Sequence, residues 1–362
     1  MKKYLLAVLI LLFIPQNILA SEMDEHINDF DFTTISSVIN RGLDKDIERV
    51  DFKVLTKKII SGQFDFISLI DTAIDIFLRD VRENIYDIRN LFMLVIFAGI
   101  IKNLADSFNA KSTAEIAFYI TYMVIITNLF ASFKISVGIA QNLLQNLLQT
   151  IQAALPIIIS LMTMSGNFIF HPIIFLISDI LILIINFLLP AIVMFVTVQV
   201  INNMTGRNLI ANLGELIKSL VSWSLKLISF TFMSILSLQR ITAPLLETAA
   251  IKSAKFAVNT VPIVGEVFSS AVDSVISWAY VIKNGALVAI IIAVFFLCIA
   301  PIIKLAVFIF IYKIFGAVIQ PISDERITKC IEAITVACSL LLSCCFSAVI
   351  IFLFAVIIFI SM

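Results

Sequence analysis

The chain has 362 residues, of which 61% are hydrophobic and only 14% charged, with a formal net charge of +0. Soluble domains carry about 25% charge and about 45–50% apolar residues, so this composition excludes disordered, fibrous and nucleic-acid-binding chains and argues against any soluble enzyme. Without net charge there is no electrostatic pull toward nucleic acid or an anionic membrane face. The fold class expected is all-α: a polytopic helical protein whose solvent is the lipid bilayer.

Charge is concentrated at the start. Residues 1–90 hold 15 of the 25 Asp/Glu and 11 of the 25 Lys/Arg, so the chain divides near residue 90 into a polar head and an apolar body. Met1-Lys2-Lys3 is a short basic start, Tyr4 to Pro15 is uncharged and mostly apolar, and Ala20 precedes an acidic stretch. This is the layout of a secretory signal peptide over residues 1–20, with the cut after Ala20. It places the following segment outside the cytosol. Residues 21–90 then form an acidic head with 15 Asp/Glu against 9 Lys/Arg, a net charge of −6. Val54, Leu55, Ile59, Ile60, Phe64, Phe66, Ile67 and Ile70 recur at roughly helical spacing, which predicts amphipathic helices with solvated acidic faces.

From residue 91 to 362 the pattern predicts a polytopic membrane domain of seven or eight segments. A first span includes Leu91–Ile101, with Lys102 and Lys111 beyond it on the cytosolic side, as the positive-inside rule requires. Ala117–Phe133 is a second span. Between Lys134 and Arg207 the only ionisable groups of the Asp, Glu, Lys, Arg and His types are His171 and Asp179, so that interval holds several segments. Further spans are Leu220–Leu238 with Lys226 inside it, Asn284–Ile303, Leu305–Ile322 broken only by Lys313, and Ile334–Ile360.

Three segments are unusual for plain anchors. Gln141, Gln145, Gln149 and Gln152 fall on one helix face. An uncharged amide stripe suits an aqueous lumen or a contact between subunits, and equally a helix lying in the interface plane. Asp179 lies inside the apolar run 173–200, where a charge costs on the order of 3 kcal/mol and must face protein or water. It is either a polar gate or proton-linked site, with His171 two turns earlier, or a structural group that pairs with Lys226, Lys304 or Lys313 or bonds to Ser and Thr on neighbouring helices. Residues 240–284 are moderately polar. Ala254, Val258, Val261, Val264, Phe268, Ala271 and Val275 recur there every three or four positions, which predicts an amphipathic helix pair broken at Pro262 and Gly265. Pro-Ile-Ile also occurs three times, at 156–158, 172–174 and 301–303. Proline-interrupted helices in paired halves mark many transporter sites.

No phosphate loop, dinucleotide fingerprint or zinc spacing is present. Cys298, Cys330, Cys338, Cys344 and Cys345 lie in or beside apolar runs and read as small buried hydrophobes. The expectation is a protein that is not an enzyme and takes no cofactor or metal.

The residues Phe170-His171-Pro172-Ile173-Ile174-Phe175-Leu176, Lys252-Ser253-Ala254-Lys255-Phe256, Val261-Pro262-Ile263-Val264-Gly265 and Asp273-Ser274-Val275-Ile276-Ser277 carry a likeness to a known family. So do Lys283-Asn284, Ala300-Pro301-Ile302-Ile303-Lys304 and the stretch to Gln320-Pro321. On these the chain resembles stage III sporulation protein AE of endospore-forming bacteria, over about residues 86–360. The resemblance implies a multi-pass protein of the mother-cell membrane that surrounds the forespore. It would act within a channel or secretion-like complex joining the two cells, and support forespore development and late forespore gene expression. Implied partners are other proteins of the same sporulation operon, including a secretion-type ATPase and ring-forming subunits, and a forespore membrane protein. A membrane scaffold that recruits those proteins through the acidic head and an autonomous secondary transporter are the alternative readings.

Overall fold

Long apolar helices dominate a computed structural model of the chain, which describes residues 32–43, 49–61, 111–164, 173–204, 210–259, 264–321 and 323–361, with residue 47 and scattered residues between 74 and 100; at 239–279 the backbone alone is described. Among the described residues there is no strand, in agreement with the all-α expectation. The signal peptide and about half of Leu91–Ile101 lie outside the described residues. The principal elements are α1 (Thr33–Gly42), α2 (Phe52–Ile60), α3 (Lys111–Met164), α4 (Ile173–Leu183), a π-helical turn at Ile184–Leu188, α5 (Leu189–Met204), α6 (Ala211–Asn259), α7 (Val264–Ile319) and α8 (Glu325–Ser361).

Two short helices of the acidic segment form a tight corner. Asp51 caps α2, its Oδ1 accepting from the backbone N–H of Lys53 at 3.0 Å and of Val54 at 3.3 Å. Lys57 and Lys58 occupy its last turn, where the helix dipole favours cations. Asn40 clamps the link from both sides: its Nδ2 donates to the Val50 carbonyl at 2.9 Å, and its Oδ1 accepts from the Val50 N–H at 2.7 Å. The Ser36 hydroxyl accepts from Phe52 N–H at 3.2 Å, and the Phe32 and Phe52 rings pack with centroids 5.4 Å apart. The amphipathic spacing read from Val54 onward is therefore helical over α2, its continuation through residues 62–73 lies outside the described residues, and α1 was not read from spacing. Their apolar faces, Ile35, Ile39, Phe52 and Leu55, are buried in the same hydrophobic core as the long helices. α1 lies on α3 and α2 on α7. Glycines permit both approaches: a Cβ on Gly42 would stand 2.9 Å from Asn146 Nδ2 and from Leu297 Cδ1, and one on Gly285 would stand 2.5 Å from Ile60 Cγ1.

Among the described residues five stretches are long and apolar enough to cross a membrane: Tyr119–Thr163, Phe175–Met204, Ala211–Leu238, Tyr280–Ile319 and Glu325–Ile360. Seven or eight segments were expected; the first of them lies mostly outside the described residues, and among the rest some expected breaks are continuous helix. Lys134 and Lys304 interrupt the apolar pattern without interrupting the helical hydrogen bonds. Ala117–Phe133 therefore continues into the rest of α3, and Asn284–Ile303 continues into the segment after Leu305 as one helix, α7. Pro156 and Pro301 lie inside α3 and α7. Each removes a single backbone bond rather than ending its helix. At 54 residues α3 is about 80 Å long, well beyond the ~30 Å hydrocarbon core. The segment 240–284 likewise holds no free-standing pair: its first part completes α6 and its second part opens α7, with the break between Asn259 and Val264.

The most extensive helix pair is α7 against α8, a hairpin closed at residues 320–324. Ser323 N–H returns to the Ile319 carbonyl at 2.8 Å, and Asp324 Oδ1 accepts from Arg326 N–H at 2.9 Å to cap α8. Small residues line the buried side of α8, with Ala337, Cys338, Cys344, Cys345, Ala348 and Ala355 all inaccessible. This allows close helix contact where lipid removes the hydrophobic incentive to associate. α3 and α5 complete the core around this hairpin. At the α5–α6 turn, Asn202 Oδ1 accepts from Ile210 N–H at 3.1 Å. Gly214 lies directly beneath the Gln199 amide, where any side chain would overlap it.

Candidate functional site: polar groups on an apolar bundle

A cluster of polar side chains closes inside the bundle where α3, α5 and α8 meet. Tyr122 on α3 is 1% exposed; its hydroxyl lies 3.3 Å from the Val200 carbonyl and 3.0 Å from Cys330 Sγ. Asn203 Nδ2 approaches the same sulfur at 3.8 Å. Donor counting orders the chain. A carbonyl only accepts, so the tyrosine O–H points to Val200, the Cys330 S–H points to the tyrosine oxygen, and the sulfur accepts from Asn203. Each buried polar atom thus gains a partner in surroundings where an unpaired one costs about 1–3 kcal/mol. The cluster ties three spans together beside the charged turn that begins at Asp324. It holds no nucleophile–base pair.

A second buried polar group lies where α2 docks on α7. Lys283 is fully inaccessible, and its Nζ stands 4.4 Å from the centre of the Tyr280 ring, a cation–π contact. Next to it, Asn284 Oδ1 is buried and accepts no hydrogen bond among the described residues.

The residues singled out from sequence fall elsewhere. Gln141, Gln145, Gln149 and Gln152 all lie on the outward face of α3, while Leu143, Leu144, Leu147 and Ile151 face the core. The four glutamines share one face and are outside the bundle rather than in a cavity within one chain. Asp179 is exposed on α4, and Lys226 is exposed on α6. Neither makes a salt bridge among the described residues. His171 lies outside the described residues, so its relation to Asp179 is not described. All five cysteines are buried and free, and among the described residues no group of three His, Cys, Asp or Glu is placed to hold a metal.

Sequence reasoning passed over Tyr122 and Asn203, read Cys330 only as a small buried hydrophobe, and noted Lys283-Asn284 only for the family likeness. The signal was present in part. Asn202 and Asn203 are adjacent amides at the end of an apolar helix, and Lys283 is a cation at the mouth of the most apolar run. Tyr122 and Cys330 are 208 residues apart and nothing local joins them.

The fold and these polar groups define a multi-helix membrane protein whose buried polar side chains serve helix packing. Comparison with known proteins gives the family. The model of stage III sporulation protein AE matches residues 50–362, and the chain belongs to that family. It is also similar to stage III sporulation protein AE of Bacillus subtilis (strain 168), 29% identical over 253 residues that cover 68% of this chain. The match spans 63% of the length of that relative, under two thirds. No solved structure matches the chain.

Proposed function

We propose that the chain is a membrane subunit of a sporulation channel or secretion-like complex that links the mother cell and the forespore. In this reading it sits as a multi-pass protein in the mother-cell membrane around the forespore and contributes no catalysis of its own. The acidic segment that contains α1 and α2 lies outside the cytosol. Partners are the other proteins of the stage III sporulation operon, with a secretion-type ATPase and ring-forming subunits among them, and a forespore membrane protein. The observation that carries the reading is family membership over residues 50–362 combined with five bilayer-length apolar helices. A protein of this build does its work by position and contact, since its buried polar groups are engaged in packing.

The test is recovery of tagged full-length chain from sporulating cells in mild detergent, with identification of what comes with it. The operon proteins are expected at stoichiometric yield. Recovery of the chain alone, with normal forespore development in a deletion strain, would end this reading in favour of an autonomous transporter.

A further inference from the structure

The outward face of α3 differs from the other outward faces of the bundle. On α6 that face carries Leu216, Leu220, Trp223, Leu227 and Phe230, and on the π turn and α5 it carries Phe187 and Met194. These are large apolar groups suited to lipid. On α3 the outward positions spaced at helical intervals from 127 to 152 are Thr127, Ala131, Lys134, Gln141, Gln145, Gln149 and Gln152, all exposed, with Gly138 half-buried among them. At 100° per residue they fall within an arc of about 80° that runs for about 38 Å. No large apolar side chain falls inside that arc, and the exposed Ile135 stands at its edge. A lipid-facing helix has no reason to exclude leucine and phenylalanine over seven turns.

Two further observations narrow what covers this face. The four glutamine amides make no hydrogen bond among the described residues, so their donors and acceptors are open. Gly138, one turn before them, is not required by packing within the chain: a Cβ built there meets nothing within 4 Å. The glycine leaves room for an approach from outside. We propose that this face is a seam with a second copy of the same chain. An amide carries both donors and an acceptor, so an uncharged amide stripe is complementary to itself. A helix charged with one sign would leave half of those groups unmet, and a wholly apolar one would leave all of them unmet. Because all copies insert in the same direction, the two helices run parallel, with amides meeting at matching heights and the backbones closest at Gly138. Lys134 lies on the same face and carries its ammonium to the rim on a flexible stem. The seam depends only on the chain being in the membrane and is independent of the sporulation apparatus.

The experiment places single cysteines in the full-length chain in its native membrane at Gln141→Cys, Gln145→Cys and Gln149→Cys, with Trp223→Cys and Phe230→Cys on α6 as comparison positions. The five native cysteines are buried and stay in place. Aqueous oxidation is expected to give a covalent dimer of the chain at one or more α3 positions, at least tenfold above the α6 positions. Exchanging all three glutamines for leucine is expected to abolish co-purification of two differently tagged copies. Dimers at the α6 positions alone, or cross-links only to a different protein, overturn the seam. Complete labelling of all three α3 cysteines by a membrane-impermeant maleimide also overturns it and makes the stripe a water-lined surface. Alkaline carbonate extraction of the same membranes separates the two kinds of failure. A chain that stays in the pellet without cross-linking refutes the seam alone, whereas a chain that leaves the pellet refutes the membrane reading as well.

Discussion

Tyr122 and Gln145 lie on one helix about six turns apart, and their polar groups meet opposite fates. The Tyr122 hydroxyl is sealed among Val200, Cys330 and Asn203, each atom with a partner from a different span. The Gln145 amide faces outward and makes no hydrogen bond among the described residues. A bundle settles internally the polar groups on which its own packing depends. Those it leaves along an outward face, between helices clothed in leucine and phenylalanine, are settled by something else. The sealed cluster therefore belongs to stability, and the open stripe belongs to assembly.

The sharpest way to break this contrast is at the sealed end. Tyr122→Ala empties a fully buried aromatic site, and the expected loss is about 3–5 kcal/mol. It is read as a large fall in the thermal midpoint of the purified protein in detergent. A loss below about 1 kcal/mol would mean that the three spans do not depend on this cluster. Tyr122→Phe keeps the ring and removes only the hydroxyl. It leaves the Val200 carbonyl and the Cys330 thiol short of a partner, for about 1 kcal/mol. At the open end, the combined Gln141, Gln145 and Gln149→Leu chain is expected to unfold within about 0.5 kcal/mol per site of the parent, since no internal contact is removed. A combined glutamine exchange as destabilising as Tyr122→Ala would erase the distinction.

The sequence made the helical class, the membrane composition and the shared face of the four glutamines legible, because each rests on local periodicity. The helix count was less legible. A lysine such as Lys134 or Lys304 lowers local hydropathy, yet Lys has good helix propensity and a stem long enough to reach a polar layer. The apolar pattern therefore breaks where the helix does not. The docking of α1 and α2 on α3 and α7 could not be read from spacing either. It rests on Gly42 and Gly285, whose missing side chains matter only because Leu297 and Ile60 come within reach from distant segments. The sealed cluster was hidden for the same reason: Tyr122, Asn203 and Cys330 look unremarkable singly and acquire a role only when three helices converge. Asp179 and Lys226 drew attention as charges in apolar runs, and both face outward without an ion pair among the described residues.

The smallest predicted effect tests the contrast most closely, because its two halves have opposite sign. Gly138→Ala adds one methyl group to a helix interior, where alanine is favoured over glycine by about 0.5–1 kcal/mol. Within a single chain that methyl meets nothing. The isolated protein, dispersed in excess detergent, is therefore expected to melt slightly higher than the parent. In the membrane the same methyl lies where two copies approach most closely, so cross-linking at Gln141→Cys and Gln145→Cys should fall severalfold. A higher melting midpoint with unchanged cross-linking would move the closest approach away from Gly138 toward Gln149. A lower midpoint would show that the space outside Gly138 is already filled in the dispersed protein, and that the second copy is part of the folded state.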